Sequence, residues 1–188
     1  MLVIDMQHGY LSRSNEDTDK IKVFLPQLKT FTDSCRELEL PIIWTQMVEN
    51  TEESPENIAT VMKLDGLVNP NLTHTKKSSF DFYAGLRPAE SDTVITKYYY
   101  DAFADTKLFD NLKSKGIKTV ILTGGYESRC VLGTAFGANG KGFHVVLAED
   151  LVEEPSEFRT EVRTTVKVIS SIIGYPLHSA EVLKLLNQ

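Results

Sequence analysis

The chain has 188 residues, of which 41% are hydrophobic and 24% are charged. This composition is typical of a globular protein, and we expect residues 1–188 to form one domain. The formal net charge of −6 disfavours contact with a phosphate backbone, so nucleic acid is not an expected partner.

The chain begins with a short apolar run, Leu2-Val3-Ile4, that reaches a charge at Asp5. This run lacks the basic start and the length of a signal peptide. No stretch approaches the roughly 20 apolar residues of a membrane span. Two cysteines, Cys35 and Cys130, do not make a disulfide framework in a chain of this length. We therefore expect a cytoplasmic protein without membrane contact.

Short apolar runs alternate with longer amphipathic stretches along the chain. Predicted strands cover residues 2–4, 42–45, 93–96, 119–123 and 143–148, and predicted helices cover 19–38, 105–115 and 128–139, with one more after Pro155 and a short one after His178. The strands are continuous apolar runs, as in parallel sheets that are covered on both faces. The pattern predicts an α/β fold, a three-layer α/β/α sandwich around a mainly parallel sheet.

One segment, from Glu49 to Asp92, does not follow this alternation. It is polar and has few strand signals, and a compact domain rarely carries so long a loop without structure. We expect a short helix near Glu56–Met62 and a lid or subunit-contact role for the remainder.

Cys130 is the first candidate for chemistry. It follows the fourth predicted strand after the turn Gly124-Gly125, near the start of a helix. Free backbone N–H groups and the helix dipole at that position favour thiolate over thiol, and the N–H groups could bind an oxyanion. A buried structural cysteine is the alternative. Cys35 differs, because it lies in a helical apolar stripe with Leu28 and Phe31 and is expected in the core.

Asp5 and Lys97 end the first and third predicted strands. Each alone could be a cap or half of a structural ion pair. Ligands of parallel sheets bind beyond the carboxyl ends of the strands, where Cys130 is also expected. Together the three groups predict a nucleophile, Cys130, a proton-transfer partner, Asp5, and an electrostatic helper, Lys97.

Three motifs resemble the isochorismatase-like cysteine hydrolases, a family that includes nicotinamidases and N-carbamoyl amide hydrolases. Leu2–Gln7 is similar to the family's first strand with its catalytic aspartate. Thr96–Phe103 is similar to its lysine motif, and Thr123–Val131 matches its nucleophile motif in spacing. Thr134-Ala135 and Asp150 also fall where the family places such residues. The resemblance covers nearly the whole chain.

The resemblance implies a six-stranded sheet and a homo-oligomer, a dimer or larger. It also implies a cis peptide between Gly125 and Tyr126, and an oxyanion hole formed by the backbone N–H groups of Tyr126 and Cys130. Two positions depart from the family pattern. An aliphatic residue is common at Gly125 and a threonine at Glu127, and Glu127 would add negative charge near the pocket.

Metal-dependent relatives carry an aspartate and histidines after the second strand. Residues 44–50 contain no histidine here, and His8 and His74 are too far apart in sequence to form a recognisable ligand pair. His144 lies in a strand pattern and His178 near the end of the chain. We therefore expect no metal and no other cofactor.

The resulting hypothesis is a metal-independent cysteine hydrolase that cleaves a C–N bond of a small amide or ureide through a thioester acyl-enzyme. The expected pocket side chains are mostly aromatic: Tyr10, Trp44, Gln46, Tyr99, Phe103, Tyr126 and Glu127. Two alternatives remain open. One is a catalytically idle member of the family that serves as a binding or scaffold protein. The other is a flavodoxin-like binding module, although residues 6–9 do not resemble a phosphate-binding turn.

Overall fold

A computed structural model describes residues 1–8, 15–48, 52–68, 81–154, 164 and 166–188, apart from the side chains at 15–18, 62 and 65–68. Within these residues six strands form one sheet, in which every neighbouring pair is parallel. The strands are β1 (Leu2–Ile4), β2 (Ile43–Met47), β3 (Thr93–Lys97), β4 (Thr119–Gly125), β5 (His144–Glu153) and β6 (Gly174–Leu177). The prediction of an α/β sandwich with a parallel six-stranded sheet is confirmed.

The strand order is β3-β2-β1-β4-β5-β6. The chain therefore builds outward from β1 to β3, returns to the other side of β1 with β4, and builds outward again. In such sheets the connections that follow the two central strands diverge and leave a crevice at the carboxyl edge, where ligands bind. Asp5 directly follows β1, and the turn that carries Cys130 directly follows β4.

The sheet is accompanied by α1 (Asn15–Glu37), α2 (Glu56–Val68), α3 (Leu108–Ser114), α4 (Leu132–Gly140) and α5 (Ser179–Leu186), and the described residues 164 and 166–168 are also α-helical. Two π-helical segments, Glu127–Val131 and Ile169–Ile173, precede α4 and β6. The side chain and backbone of His178 form a capping box with Glu181 at the start of α5. None of the helices described is long and apolar enough to cross a membrane.

The core follows from the apolar patterns of the sequence. All three residues of β1 are completely buried, as expected for the central strand of a sheet covered on both faces. Leu28, Phe31 and Cys35 are buried together along α1, which confirms the predicted apolar stripe. α1 and α5 contact each other, and both contact β5.

Several element boundaries differ from those predicted. α1 begins four residues earlier, α3 is shorter than the predicted 105–115, α2 extends beyond Met62, and β5 continues to Glu153. The predicted helix 128–139 divides into a π-helical segment and α4. The helix expected after Pro155 falls partly on residues 155–163 and 165, which lie outside the described residues.

β6 was not predicted from the apolar runs. Its residues include Gly174 and Pro176, and both residue types are rare within strands. Proline is tolerated here because β6 lies at the edge of the sheet, where an N–H on the outer side has no partner strand. The strand depends on its pairing with β5 rather than on its own composition.

Candidate active site

Asp5 lies at the carboxyl end of β1 and is completely buried. Its backbone has φ +48°, a left-handed conformation that aspartate and asparagine adopt more readily than most residues. The Thr45 hydroxyl accepts a hydrogen bond from the Asp5 N–H at 3.2 Å and donates one to Asp5 Oδ1 at 2.6 Å. One carboxylate oxygen is therefore fixed by β2, and the other, Oδ2, is directed to a different partner.

That partner is Lys97, the last residue of β3. Its Nζ lies 2.7 Å from Asp5 Oδ2, and both side chains are completely buried. Nζ also donates to the Tyr99 carbonyl oxygen at 2.9 Å and lies 3.6 Å from the sulfur of Met47. Burial works against the charged ammonium and would lower the pKa of Lys97, but the Asp5 carboxylate outweighs it and raises that pKa. Lys97 is thus held as a cation.

Cys130 lies in the π-helical segment that leads into α4 and is 3% exposed. Its thiol donates to the Met47 sulfur at 3.8 Å, and Asp5 and Lys97 lie near enough for both to act on its pKa. Burial raises the pKa of the thiol, Lys97 lowers it in part, and Asp5 raises it further. Desolvation thus outweighs the position near a helix start in its effect on the pKa of this thiol.

A glycine makes this convergence of β1 and β4 possible. Gly124 pairs with Ile4, and a Cβ placed on Gly124 would lie 2.1 Å from the Ile4 carbonyl oxygen. Its φ of +103° is also unfavourable for other residues. The peptide bond between Gly125 and Tyr126 is cis. Without a side chain at position 124, the turn that carries Cys130 starts directly beside Asp5.

The structure thus brings together the three groups that the sequence singled out, from the ends of three strands. A buried ion pair contributes little to stability on balance, because the cost of removing both charges from water offsets their attraction. A neutral thiol in contact with a carboxylate and a cation has, instead, the components for proton transfer and nucleophilic attack.

Three further residues complete the site and were not recognised from the sequence. Thr45 orients Asp5, and Met47 contacts both Cys130 and Lys97. Gln7 exchanges two hydrogen bonds with the Met47 backbone, at 2.9 and 3.1 Å, and so ties the segment after β1 to the end of β2. The rule that singled out Asp5 and Lys97, a position at the carboxyl end of a strand, could also have been applied to the end of β2, where Thr45 and Met47 lie.

Sequence comparison identifies the group of proteins to which this site belongs. The chain matches the isochorismatase domain over residues 1–171. It belongs to the isochorismatase family. This confirms the resemblance that the three motifs indicated, and with it the prediction of an isochorismatase-like hydrolase.

The chain is similar to several characterised members of the isochorismatase family. The secreted isochorismatase effector Isc1 of Verticillium dahliae is 26% identical over 152 residues, 72% of this chain and 80% of that protein. Enterobactin synthase component B of Escherichia coli is 25% identical over 97% of this chain, which spans 61% of that longer protein. Nicotinamidase 3 of Arabidopsis thaliana is 27% identical over 80% of this chain and 70% of that protein.

Solved structures show the same fold. A cysteine hydrolase from Pseudomonas syringae superimposes with a TM-score of 0.84, over 99% of this chain and 91% of that one, at 15% sequence identity. At this level of identity the agreement concerns the fold, including the layered sheet and its helices.

Two of the expected pocket residues of this isochorismatase-family chain pack against other aromatic rings. Trp44 packs edge-to-face with Phe82, and its indole N–H donates to Asp92 at 2.8 Å, at the amino end of β3. Phe103 stacks on Phe143, the residue before β5. Both rings contribute to the core, because an aromatic side chain close to the carboxyl edge in sequence can still turn inward. That these two rings line the pocket stays a prediction.

The other expected pocket residues are distributed as follows. Gln46 is half-buried near the end of β2, and Tyr99 is half-buried with its carbonyl oxygen on Lys97. Tyr126 is buried next to the nucleophile turn, with the Arg129 guanidinium 5.6 Å from its ring centre. Tyr10 lies outside the described residues.

Glu127 is the most unusual of the expected pocket residues. It is 1% exposed, and its Oε1 has no hydrogen-bond partner. Burial and the nearby carboxylates of Glu154, Glu153 and Glu149 raise its pKa to about 8. Glu154 accepts a hydrogen bond from the Ser128 N–H at 2.7 Å, so β5 and the nucleophile turn meet at this cluster. Glu127 therefore holds its proton to a much higher pH than an ordinary glutamate.

No cluster of three metal-binding side chains occurs among the residues that the structure describes. His8 stacks on Tyr83 at 4.3 Å and His178 caps α5. A surface cleft of about 340 Å³ lies between the end of α4, the start of β5, and β6. It opens at the amino edge of β5, away from Cys130, so it is not the candidate active site.

Proposed function

We propose that the protein is a cysteine hydrolase that cleaves a C–N bond of a small amide or ureide. The observation that carries this proposal is the buried contact of Asp5, Lys97 and the Cys130 thiol at the crevice between β1 and β4. A sulfur nucleophile with an adjacent base is suited to acyl transfer, and the similarity to nicotinamidase 3 points to the same bond class.

The first half of the reaction forms an acyl-enzyme. Asp5 accepts the thiol proton as the Cys130 sulfur attacks the substrate carbonyl carbon, and the carbonyl becomes a tetrahedral oxyanion. The backbone N–H groups of Tyr126 and Cys130 are the proposed donors to that oxyanion. Asp5 then returns the proton to the leaving nitrogen as the C–N bond breaks, which leaves a thioester on Cys130. Lys97 remains positive throughout and compensates the negative charge on Asp5 or on the sulfur.

The second half regenerates the thiol. A water molecule loses a proton to Asp5 and attacks the thioester carbonyl. The tetrahedral intermediate collapses with the sulfur as leaving group, the acid product departs, and Asp5 returns the proton to Cys130. The raised pKa of the resting thiol fits this cycle, because proton transfer to Asp5 accompanies attack and no thiolate exists beforehand.

The substrate pocket is the crevice around Cys130, and its proposed lining is Tyr10, Gln46, Tyr99, Tyr126 and Glu127. The aromatic rings favour a small, partly flat molecule. A neutral Glu127 can both donate and accept a hydrogen bond, which suits an amide or ureide group.

Metal-independent catalysis is part of the proposal, since sulfur and carboxylate supply the nucleophile and the base. We expect full activity after exhaustive chelation, measured with the substrate that the screen below identifies. Loss of activity that zinc or iron restores would contradict metal independence.

The decisive experiment combines a substrate screen with detection of the acyl-enzyme. A panel of small amides and ureides is assayed for ammonia release. Isochorismate is a competing candidate because of the isochorismatase effector among the relatives, and since it contains no nitrogen its consumption is followed separately by chromatography. Rapid-quench mass spectrometry then locates the acyl group. We expect it on the peptide that contains Cys130 and not on the one with Cys35.

Cys35 provides a matched control, because it is also a buried, free cysteine, with a pKa raised to about 11 by burial. Cys35→Ala should keep both turnover and acylation, whereas Cys130→Ala should lose both. Undiminished turnover in Cys130→Ala would overturn the proposal. Specific binding of a panel compound without turnover would instead indicate an idle binding protein.

We also propose a quaternary and domain organisation, from the family resemblance and the length of the chain. Residues 1–188 would form one domain in a homo-oligomer, a dimer or larger, with residues 49–92 as lid or subunit contact. The proposed location is the cytoplasm. Light scattering of the purified chain, and of a variant altered on α2 within that segment, would test the assembly.

A further inference from the structure

Thr134 links the helix of the nucleophile to the loop that follows β3. It lies four residues after Cys130, one helical turn along α4, and is completely buried. Its hydroxyl accepts a hydrogen bond from the Ala102 N–H at 3.1 Å and donates one to the Tyr100 carbonyl oxygen at 3.3 Å. One side chain of α4 thus satisfies two backbone groups of a neighbouring loop.

We call this loop, residues 98–107, the lysine loop, because it holds the Lys97 ammonium. An ammonium has three N–H donors. The Lys97 ammonium forms the ion pair with Asp5 Oδ2, donates to the Tyr99 carbonyl oxygen and donates to the Met47 sulfur, which also contacts Cys130. The Tyr99 carbonyl is therefore one of the fixed points that set where the positive charge lies.

The lysine loop also lies directly on the backbone of α4. A Cβ placed on Gly133 would be 3.1 Å from the Tyr100 carbonyl carbon, and one on Gly137 would be 2.1 Å from Asp101 Oδ1. Side chains at these positions would displace the loop from the helix. Gly133 and Gly137 leave room for the loop, and the two hydrogen bonds of the Thr134 hydroxyl fasten it. Together they hold the lysine loop in close contact with α4.

We propose that Thr134 is a positioning residue that sets the distance between the Lys97 ammonium and the Cys130 sulfur by holding the lysine loop against α4. The inference rests on the triad of the proposed function, but its consequence concerns Cys130 itself and is measurable without a substrate. A loop that moves away from α4 would carry the Tyr99 carbonyl, and with it the ammonium, away from the sulfur.

The test measures how fast iodoacetamide alkylates Cys130, by peptide mass spectrometry, between pH 7 and 10. The rate at a given pH follows the thiolate fraction, so a rise of about one unit in the Cys130 pKa lowers the rate about tenfold. Thr134→Val removes both hydrogen bonds at nearly constant shape, and we expect a decrease of about that size at every pH. Thr134→Ser retains the hydroxyl and should react at close to the rate of the unmodified protein.

Thr32→Val is the matched control for lost stability. Thr32 is also a buried threonine, but its hydroxyl donates within α1, to the Leu28 carbonyl oxygen at 2.7 Å. We expect a lower melting temperature and an unchanged alkylation rate. If Thr134→Val melts lower but is alkylated at the rate of the unmodified protein, Thr134 is only structural and the inference is overturned.

Two glycine variants test the same contact when Thr134→Val does not fold. Gly133→Ala should slow alkylation, because the added methyl group pushes on Tyr100, whereas Gly140→Ala meets open space and should not. Alanine favours the helix at both positions, so helix propensity does not explain a difference. Equal rates in the two variants would contradict the inference. Slower alkylation of Gly133→Ala without hydrolysis of any tested amide would support positioning while the proposed function fails.

Discussion

Two ion pairs lie at opposite ends of the sheet and differ in how completely their carboxylates are bonded. At the amino end, Asp92 accepts hydrogen bonds from Arg36 at both oxygens, from the Trp44 indole and from the Ala89 N–H. At the carboxyl end, Asp5 is bonded to Thr45 and Lys97 and remains in contact with a thiol.

The difference separates an ion pair that supports the fold from one suited to chemistry. Burial would raise the pKa of Asp92, but hydrogen bonds from Arg36, Ala89 and Trp44 outweigh it and lower the pKa. Protonation of Asp92 would weaken these hydrogen bonds, because they are stronger to a carboxylate than to a neutral acid. Asp5 instead faces a group that can give it a proton, in a place that excludes water. The same residue type therefore holds structure at one end and can move a proton at the other.

The largest expected effect is that of Cys130→Ala on turnover. Loss of the nucleophile removes the covalent route, and in comparable enzymes this lowers kcat by about 10⁶-fold. Steady-state kinetics on the identified substrate provides the measurement. Cys130→Ser should be nearly as slow, since a buried hydroxyl is far harder to ionise than a thiol.

The next largest effect is expected for Asp5→Asn. Asparagine tolerates the φ of +48° at this position, so the backbone is preserved while the base is lost. We expect kcat to fall by about 10²–10⁴-fold. The variant also leaves Lys97 buried without its counterion, and the stability should fall by about 3–5 kcal/mol.

A double variant distinguishes these two consequences of Asp5→Asn. Adding Lys97→Met removes the uncompensated charge, so the melting temperature should recover while turnover does not. If activity returned with stability, the ion pair would be structural, and the contrast with Asp92 would disappear.

Asp92→Asn should give the opposite pattern, with a loss of stability of about 1–3 kcal/mol and kcat within a factor of two. The pKa of Asp92 is lower in the folded protein than its usual value of 3.8. Ionised Asp92 therefore stabilises the fold at pH values above 3.8, and this stabilisation is lost as the pH falls through the pKa of Asp92 in the folded state. The difference in melting temperature between the variant and the unmodified protein should therefore be full at pH 6 and shrink below about pH 4.

Glu127→Gln should change stability in a pH-dependent way. The unfolded chain loses the Glu127 proton near its ordinary pKa of 4.5, while the folded protein retains it to about pH 8. Stability therefore falls as the pH rises between these values. Glutamine cannot ionise, so the variant should melt higher at pH 9, by roughly 3 °C or more, and close to the unmodified protein at pH 4. Calorimetry at the two pH values measures this, and an equal shift at both would contradict a buried neutral Glu127.

Much of the fold could be predicted, because the apolar residues of β1 and α1 recur with the spacing of a strand and of a helix, and these residues are the ones that are buried. Lys97 and Asp5 could be placed at one edge, because parallel strands bring their carboxyl ends together. β6 could not, because Gly174 and Pro176 carry no strand signal and pairing with β5 decides their conformation.

The side chains of the site were harder to predict than its position. Trp44 and Phe103 turn into the core, and no sequence pattern says which way an aromatic ring near a strand end will face. The effect of burial on the Cys130 pKa also could not be predicted, because a helix start is visible in the sequence whereas the desolvation of one sulfur depends on the packing around it.

Met47 gives the site a second sulfur, whose oxidation would change the surroundings of Lys97 and Cys130. Its thioether, a weak acceptor, contacts the Cys130 thiol and the Lys97 ammonium. Oxidation to the sulfoxide would place a strong acceptor oxygen beside Lys97, draw the ammonium away from the nucleophile and occupy space between the two. The protein would then be inactivated with its cysteine chemically intact, and a methionine sulfoxide reductase, rather than a thiol reductant, would restore it.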